Sequence, residues 1–427
     1  MKKKIALLTA LGIFTAGTAC ASGYRIPEQS INSVALSNAY IAHTEGPDTA
    51  YYNPANMGWQ EDRWQLEASV SYINLPHIDY TAANNNSALD GSSKTENLFI
   101  PMFHLVSPEK NNFRFGFSFV VPYGLSKRWD DAFQKRSAEE FTLNVFEANP
   151  SISYTFCDRF SVAAGARILH TTNNTVKNDG TLNGIDLRSD MDGDSTDLGY
   201  NLAMTVKPTP EWAIAATYRS RVVQSLSGDA VLYTNIPSPP YPYATSDTYR
   251  GGVTLDVVTP AVLTLSTSYT FDKTTVELTW DKTYWSKYDH LDFNFDNTLS
   301  VDPLANGVLT SAFNDPKNKD WSNSNAYRIG VTHKCTDQLT AMAGFAYDEN
   351  PVPNSNLGFE LPDSDALLYS FGVKYQLNAD MEVGGAYLYD YKKTRKIDAQ
   401  DANINGINGE FENGGAHVLT MGLIYKF

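Results

Sequence analysis

The sequence predicts an all-β transmembrane fold: an outer-membrane β-barrel of about fourteen antiparallel strands with an N-terminal plug, or hatch, inside its lumen. Three observations predict it. Apolar residues recur with period two along many segments. The links between those segments alternate between short turns and long polar loops. The residues between a secretory leader and the first such segment are rich in apolar and turn-forming side chains yet fit no strand.

The leader comes first. Lys2, Lys3 and Lys4 precede an apolar stretch over residues 5–18, and Ala19-Cys20-Ala21 is the small-x-small pattern that a signal peptidase cuts. Residues 1–21 therefore read as a signal peptide, with cleavage near Ala21-Ser22. A lipoprotein site at Cys20 would want Leu three positions earlier, where Gly17 stands. Removing the leader takes three lysines and no acids, moving the net charge from −15 to −18, so nucleic acid is not an expected partner. Beyond it no run approaches the ~18 apolar residues of a spanning helix, so a membrane span requires a closed barrel. Only Cys157 and Cys335 remain, too few for a disulfide scaffold; they fall at short turns six strands apart and are expected as free thiols.

The strands follow. Phe113, Phe115, Phe117 and Phe119 alternate with Arg114, Gly116 and Ser118; Leu419, Met421, Leu423, Tyr425 and Phe427 alternate with mixed and polar residues. A half-buried soluble sandwich has the same period, and link lengths decide between the two. Strands are expected over 64–75, 97–107, 113–124, 141–156, 160–173, 195–207, 211–227, 253–271, 273–295, 321–335, 338–349, 364–377, 380–395 and 415–427. Short turns such as 108–111, 157–159, 208–210 and 378–379 alternate with loops near 76–96, 125–140, 174–194, 228–252, 296–320, 350–363 and 396–414. That asymmetry and the even strand number mark a membrane barrel. Many strands exceed the ~9–11 residues that cross a bilayer, so the barrel should stand above the membrane on the loop side.

Residues 22–62 precede the barrel, which takes 63–427. They contain IPEQSINSVALSNAYIA and YYNPANMGW, a density of apolar and turn-forming residues that a free tail does not need and a segment folded inside a wide barrel does. GYRIPEQSINSVALSNAYIA with YYNPANM resembles the N-terminal hatch of the FadL-type outer-membrane transporter family. The similarity continues through FTLNVFEANPSISY, TWDKTYWSKYDHLDF, AYRIGV and FAYDENPVPNSNLGFELPDSDALLYSFGVKY. The resemblance implies a fourteen-stranded plugged barrel, located in the bacterial outer membrane, that passively admits long-chain fatty acids or aromatic hydrocarbons. It also implies a ligand-gated path and a lateral exit at an inward kink of the third strand.

Particular residues then acquire expected roles. Asn53, Pro54 and Ala55 match the hatch motif; Pro54 fixes the backbone and the Asn53 side chain can cap nearby N–H groups. Pro122, Tyr123 and Gly124 interrupt a strand that should still be pairing, where a bulge or kink belongs. A fatty carboxylate needs a cation in an apolar pocket, and Arg25 and Lys319 are the candidates, unless paired acids occupy them. The loop 174–194 is polar where the family places an apolar capture groove, so capture is expected from Tyr233, Ile236, Tyr241 and Tyr243 with Pro237, Pro239 and Pro240. Asp190, Asp192, Asp194 and Asp197 lack the Gly and Glu of a calcium loop and read as a solvated acidic loop.

The seven histidines form no HExxH, and no GxSxG or Cys/His metal spacing occurs, so neither an enzyme nor a cofactor is expected. Expected partners are a hydrophobic small molecule, outer-membrane lipid and lipopolysaccharide, and the barrel-assembly machinery during biogenesis. An adhesin or structural barrel without transport, and a general porin for polar solutes, stay open as alternatives.

Overall fold

The computed structural model describes residues 23–83 and 86–427, so the leader, its cleavage site and Cys20 lie outside the described residues. The barrel strands, in order, are Gln65–Leu75, Glu96–Val106, Phe113–Arg128, Glu140–Cys157, Phe160–Leu182 and Ile185–Thr209. The seventh runs in two parts, Trp212–Arg219 and Val222–Ile236, and the eighth in Thr245–Thr259 and Val262–Phe271. Thr274–Thr283, Ser324–Lys334, Leu339–Asp348, Ala366–Gln376, Met381–Lys392 and Gly415–Lys426 complete fourteen. Consecutive strands pair antiparallel, and Gln65 opposite Lys426 closes the barrel. Closure leaves no open edge for lipid to meet.

Three expected loops and one expected strand are corrected. Residues 174–194 form no loop: the fifth and sixth strands run to Leu182 and from Ile185, joined by a turn at Asn183 and Gly184. Residues 228–252 are likewise mostly strand, leaving only 237–244 as the link. Asp190, Asp192, Asp194 and Asp197 therefore sit on a strand; the first three point outward and exposed, while Asp197 faces the lumen. The third strand continues to Arg128, and Ala132–Ala138 is a helix. The ninth strand ends at Thr283, and Phe293–Phe295 returns to pair with the outer half of the eighth.

The sixth strand shows why the wall extends past the membrane. Its outward residues Leu198, Tyr200, Leu202, Met204 and Val206 form an exposed apolar column, and Asp190, Asp192 and Asp194 continue that column as carboxylates. The apolar band ends where the column turns acidic. Cys157 and Cys335 are free and exposed at the short-turn end.

Residues 23–62 fill the lumen. Helix Ile31–Ala35 starts at a Ser30 capping box and packs against the eleventh to fourteenth strands. Glycines on the wall allow this approach: a Cβ at Gly344 would lie 2.2 Å from the Leu36 carbonyl carbon, and one at Gly372 2.5 Å from the Ala35 Cβ. Polar fasteners complete the fit. Glu277 on the ninth strand accepts from the backbone N–H of Ile41, Ala42 and His43 at 2.5, 2.8 and 2.9 Å. Arg328 donates to the Ser37 carbonyl at 3.1 Å.

Above the plug, short strands Asp79–Ala82, Gly91–Ser92, Arg395–Ile397 and Gly409–Glu412 form an external sheet. Its Tyr80 and Phe411 pack on Phe359, which also meets Phe133 of the external helix and Trp129. An aromatic lid thus covers the outer mouth.

Candidate functional site

The wall is incomplete between the second and third strands. Their ladder spans only Phe103–Val106 against Gly116–Phe119. Beyond Phe119 the third strand turns inward, and every residue from Val120 to Lys127 is buried. Its register against the fourth strand slips here: Val120 faces Glu147 and Tyr123 faces Val145, so Val121 and Pro122 stand opposite Phe146 alone. That is the bulge the Pro122-Tyr123-Gly124 interruption implies, although the strand continues past it.

The bonds that the third strand withholds from the second go to the plug. Ile26 N–H donates to the Pro122 carbonyl at 2.8 Å, and Gly124 N–H donates to the Tyr24 carbonyl at 3.0 Å. The Gln29 amide both accepts from Val121 N–H and donates to the Val121 carbonyl, each at 2.9 Å. The kink backbone is therefore satisfied by the plug, as buried backbone must be. The slot is edged by Leu98, Ile100 and Met102 on one side and Val120 and Val121 on the other, in one apolar cluster with Ile26. It is closed above by the Lys94 N–H to Arg128 carbonyl bond at 2.8 Å and the Arg128–Glu96 ion pair.

Two cavities flank the plug's first residues. The outer one, about 50 Å³, is lined by Tyr24, Leu125, Leu143, Val176, Leu226, Leu255 and Trp321, with Lys319 and Glu360 at its edge. The inner one, about 40 Å³, is lined by Arg25, Ile26, Pro122, Tyr123, Arg219 and Asp281. Tyr24 faces one and Arg25 the other, so the plug's start is the partition between them. A polar vestibule of about 620 Å³ opens below the plug at the short-turn end, lined by Ala42, His43, Lys207, Lys374 and Lys426 among others.

The two cationic candidates are placed differently. Arg25 lies 3.4 Å from Asp281, a carboxylate that also takes Arg328 at 3.2 Å. Lys319 lies on the outer apolar cavity and is ion-paired with Glu360. Neither is an unneutralised charge, which agrees with the cost of burying one. In the plug itself, burial pushes the Glu28 carboxyl up to about 7, with Arg328 pulling the other way.

Asn53 caps the 3₁₀ turn Pro54–Trp59: its carboxamide oxygen accepts from Ala55 N–H at 3.2 Å, and its nitrogen donates to the Ile41 carbonyl and to Thr205, both at 2.8 Å. One side chain thus joins two plug segments and the sixth strand. The four aromatic and aliphatic capture candidates are not brought together. Ile236 is fully buried, Tyr233 faces outward beneath Arg188, and Tyr241 and Tyr243 lie on the link beyond the strand.

Sequence reasoning missed several residues here. Trp285, Tyr288 and Trp321 surround Tyr24, and Gln224 is buried with neither amide atom partnered among the described residues. No local spacing marks either feature, because strands seven to ten bring them together. The wall glycines could have been found, since Gly inside a strand signals a close backbone approach.

Comparison with known proteins agrees with this architecture. The chain is 24% identical to the long-chain fatty acid transport protein of Escherichia coli strain K12, covering 96% of this chain and 95% of that one. It is 22% identical to outer membrane protein P1 of Haemophilus influenzae over 99% of this chain and 98% of that one. Among solved structures it superposes on a Pseudomonas aeruginosa FadL homologue with a TM-score of 0.78 at 20% identity, covering 95% and 100% of the two chains. The Pseudomonas putida toluene transporter TodX gives 0.71 at 15% identity, covering 94% and 99%. The family model described as outer membrane protein transport protein (OMPP1/FadL/TodX) matches residues 12–427, and the chain belongs to that family of outer-membrane proteins.

Proposed function

We propose that this barrel is a passive channel for hydrophobic small molecules, long-chain fatty acids or aromatic hydrocarbons, that leave sideways through the slot between the second and third strands. The observation that carries the reading is the diversion of the third strand's hydrogen bonds at Val121, Pro122 and Gly124 from the wall to the plug. Moving the plug's start removes the partition between the outer apolar cavity and the inner one, which opens on Pro122 and Tyr123. A greasy molecule then reaches the slot without crossing water, which apolar surface disfavours by ~25 cal/mol per Å².

Residues 23–62 act in this reading as the hatch, and Asn53 holds its shape from within. Lys319 is better placed than Arg25 to meet a fatty carboxylate, because it borders the outer apolar cavity, with Glu360 exchanging as its partner. The apolar column around Leu198 meets lipid, the acidic extension above it meets the lipopolysaccharide layer, and the C-terminal aromatic strand ending in Phe427 engages the assembly machinery.

Uptake of radiolabelled oleate, toluene and a polar sugar by a strain lacking the protein, complemented with wild type or Gly124→Trp, tests the reading. Gly124 is buried at the kink, so Trp should block the slot while the barrel assembles. Protein-dependent uptake of oleate or toluene that the variant loses is the expected result. Equal uptake by both forms refutes the lateral path, and sugar as the sole probe admitted refutes the hydrophobic channel.

A further inference from the structure

We infer that the aromatic box around Tyr24 is a binding site for a phenol-class ring, filled in the closed channel by Tyr24 itself as a tethered occupant. The inference rests on the hydrophobic-channel reading and narrows its substrate class.

Tyr24 is 3% exposed and its ring meets four others: Trp285 at 4.7 Å, Trp321 at 5.8 Å, Tyr288 at 5.9 Å and Tyr123 at 6.2 Å. Most of these contacts are edge-to-face, the arrangement that the ring quadrupole favours. The box stands on its own contacts as well, since Trp321 lies 4.8 Å from both Trp285 and Tyr288. Its polar end is equally specific: the Tyr24 hydroxyl donates to the Val258 carbonyl on the eighth strand. Trp285 is wholly buried, and its indole N–H has no partner among the described residues, leaving a donor for a ligand oxygen.

The adjoining outer cavity of about 50 Å³ has Tyr24, Tyr288 and Trp321 in its lining. At ~10–15 Å³ per water on this measure it holds a few waters, not a second ring beside Tyr24. A ring enters the box only where Tyr24 leaves it. Tyr24 sits near the start of the described chain, held by Gly23 N–H to Asp363 at 3.1 Å and by the two backbone bonds to the kink. Gly23 adopts φ +70, and a Cβ there would lie 2.6 Å from the Trp321 ring, so the chain enters the box by the route a glycine permits.

The chemistry of the box ranks its guests. An alkyl chain offers no ring edge to the four aromatics. Toluene offers the ring but leaves the Val258 carbonyl unpaired, which a site built to bond a hydroxyl penalises. A carboxylate would bring negative charge against that carbonyl. A phenol such as p-cresol, which is the tyrosine side chain without its backbone, meets both the rings and the carbonyl. Displacing Tyr24 also loosens its carbonyl from Gly124, so the guest that fits the box acts on the kink.

Titration calorimetry on the purified full chain in detergent, with p-cresol, toluene and palmitate as probes, tests this. Wild type should bind p-cresol more tightly than toluene. Tyr24→Ala removes the tethered competitor and should tighten p-cresol about tenfold, because the competent fraction rises, with palmitate changing by less than about threefold. Tyr24→Phe keeps the ring and loses the carbonyl bond, and should tighten p-cresol about threefold; it decides the matter if the Ala variant fails to fold by circular dichroism. Unchanged or weaker p-cresol binding in the folded variants, with toluene or palmitate still bound by wild type, overturns the box and leaves the channel reading intact. Binding of none of the three probes by wild type overturns both.

Discussion

Replacing Glu277 by Ala tests how the plug is fastened. The carboxylate is buried, accepts three successive plug N–H groups from Ile41, Ala42 and His43, and also takes the Ser266 hydroxyl at 2.7 Å. Ala42 and His43 line the polar vestibule, so water can replace the carboxylate there. Ile41 is 7% exposed and does not line the vestibule, so its N–H would be orphaned. One orphaned donor costs ~1–3 kcal/mol, and exchanging two charge-assisted bonds for water adds roughly 1 kcal/mol. A total near 3 kcal/mol corresponds to about a hundredfold in the docked-to-undocked ratio, at ~1.4 kcal/mol per decade. Hydrogen–deuterium exchange in detergent reads this directly: amides 41–43 should lose about a hundredfold of protection while the barrel strands keep theirs. Protection within about threefold of wild type would show that the carboxylate does not anchor the plug and that packing alone does.

Two further outcomes follow from the same interface. Gly344→Leu places a side chain where even a Cβ lies 2.2 Å from the Leu36 backbone, so the barrel should assemble with residues 23–62 displaced, seen as new protease cleavage in that segment; an uncut segment refutes the close-packing account. Burial raises Glu28 from 4.5 to about 7 in the docked plug, so its contribution to docking is fully present below about pH 4.5 and lost as pH rises through 7. At ~1.4 kcal/mol per unit the change is at most about 3.5 kcal/mol; plug protection should fall between about pH 4.5 and 7 in wild type and stay flat in Glu28→Gln, and parallel curves refute it.

Strand count and membrane face were legible because lipid on one side and plug on the other give each strand two contrasting faces. The contrast fades above the membrane, and there the reading failed. Asp190, Asp192 and Asp194 alternate with Ser189, Met191 and Gly193, a pattern too uniformly polar to announce a strand, yet the hairpin continues through it. Pro122 was legible because a proline has no N–H for the ladder and is confined to strand edges, strand starts and bulges. The aromatic box was not, since Tyr24 and its neighbours Trp285, Tyr288 and Trp321 are separated by more than two hundred and fifty positions and meet only through closure of the lumen. The destination of the kink's hydrogen bonds was also hidden. A missing N–H predicts a break in the ladder and says nothing of what fills it.

The kink has company in the wall, and this decides how it can be removed. Following the pairing from Val120 leads to Glu147, then Leu169, then Asp197. At that level the fifth strand spends residues 172 and 173 against Asp194 alone, and the seventh spends seven residues between Arg219 and Ser227 against six in the sixth. Extra residues thus sit in the third, fifth and seventh strands, each bending its strand, and the outer wall leans over the plug without tearing at one seam. Deleting Pro122 reverses only the first bend. Val120 and Tyr123 both face the lumen, opposite Glu147 and Val145, so with one residue between them the alternation is regular and no side chain above or below changes face. The straightened strand can then pair with Asn97–Met102, about six bonds at ~1 kcal/mol each, against the loss of the Ile26 and Gln29 contacts. Thermal stability should rise, the amides among residues 97–100 and 102 that point away from the first strand should become protected, and uptake of oleate or toluene should fall to background. If those amides become protected while uptake persists, the slot is not the exit, and hydrophobic molecules leave this barrel through the plug.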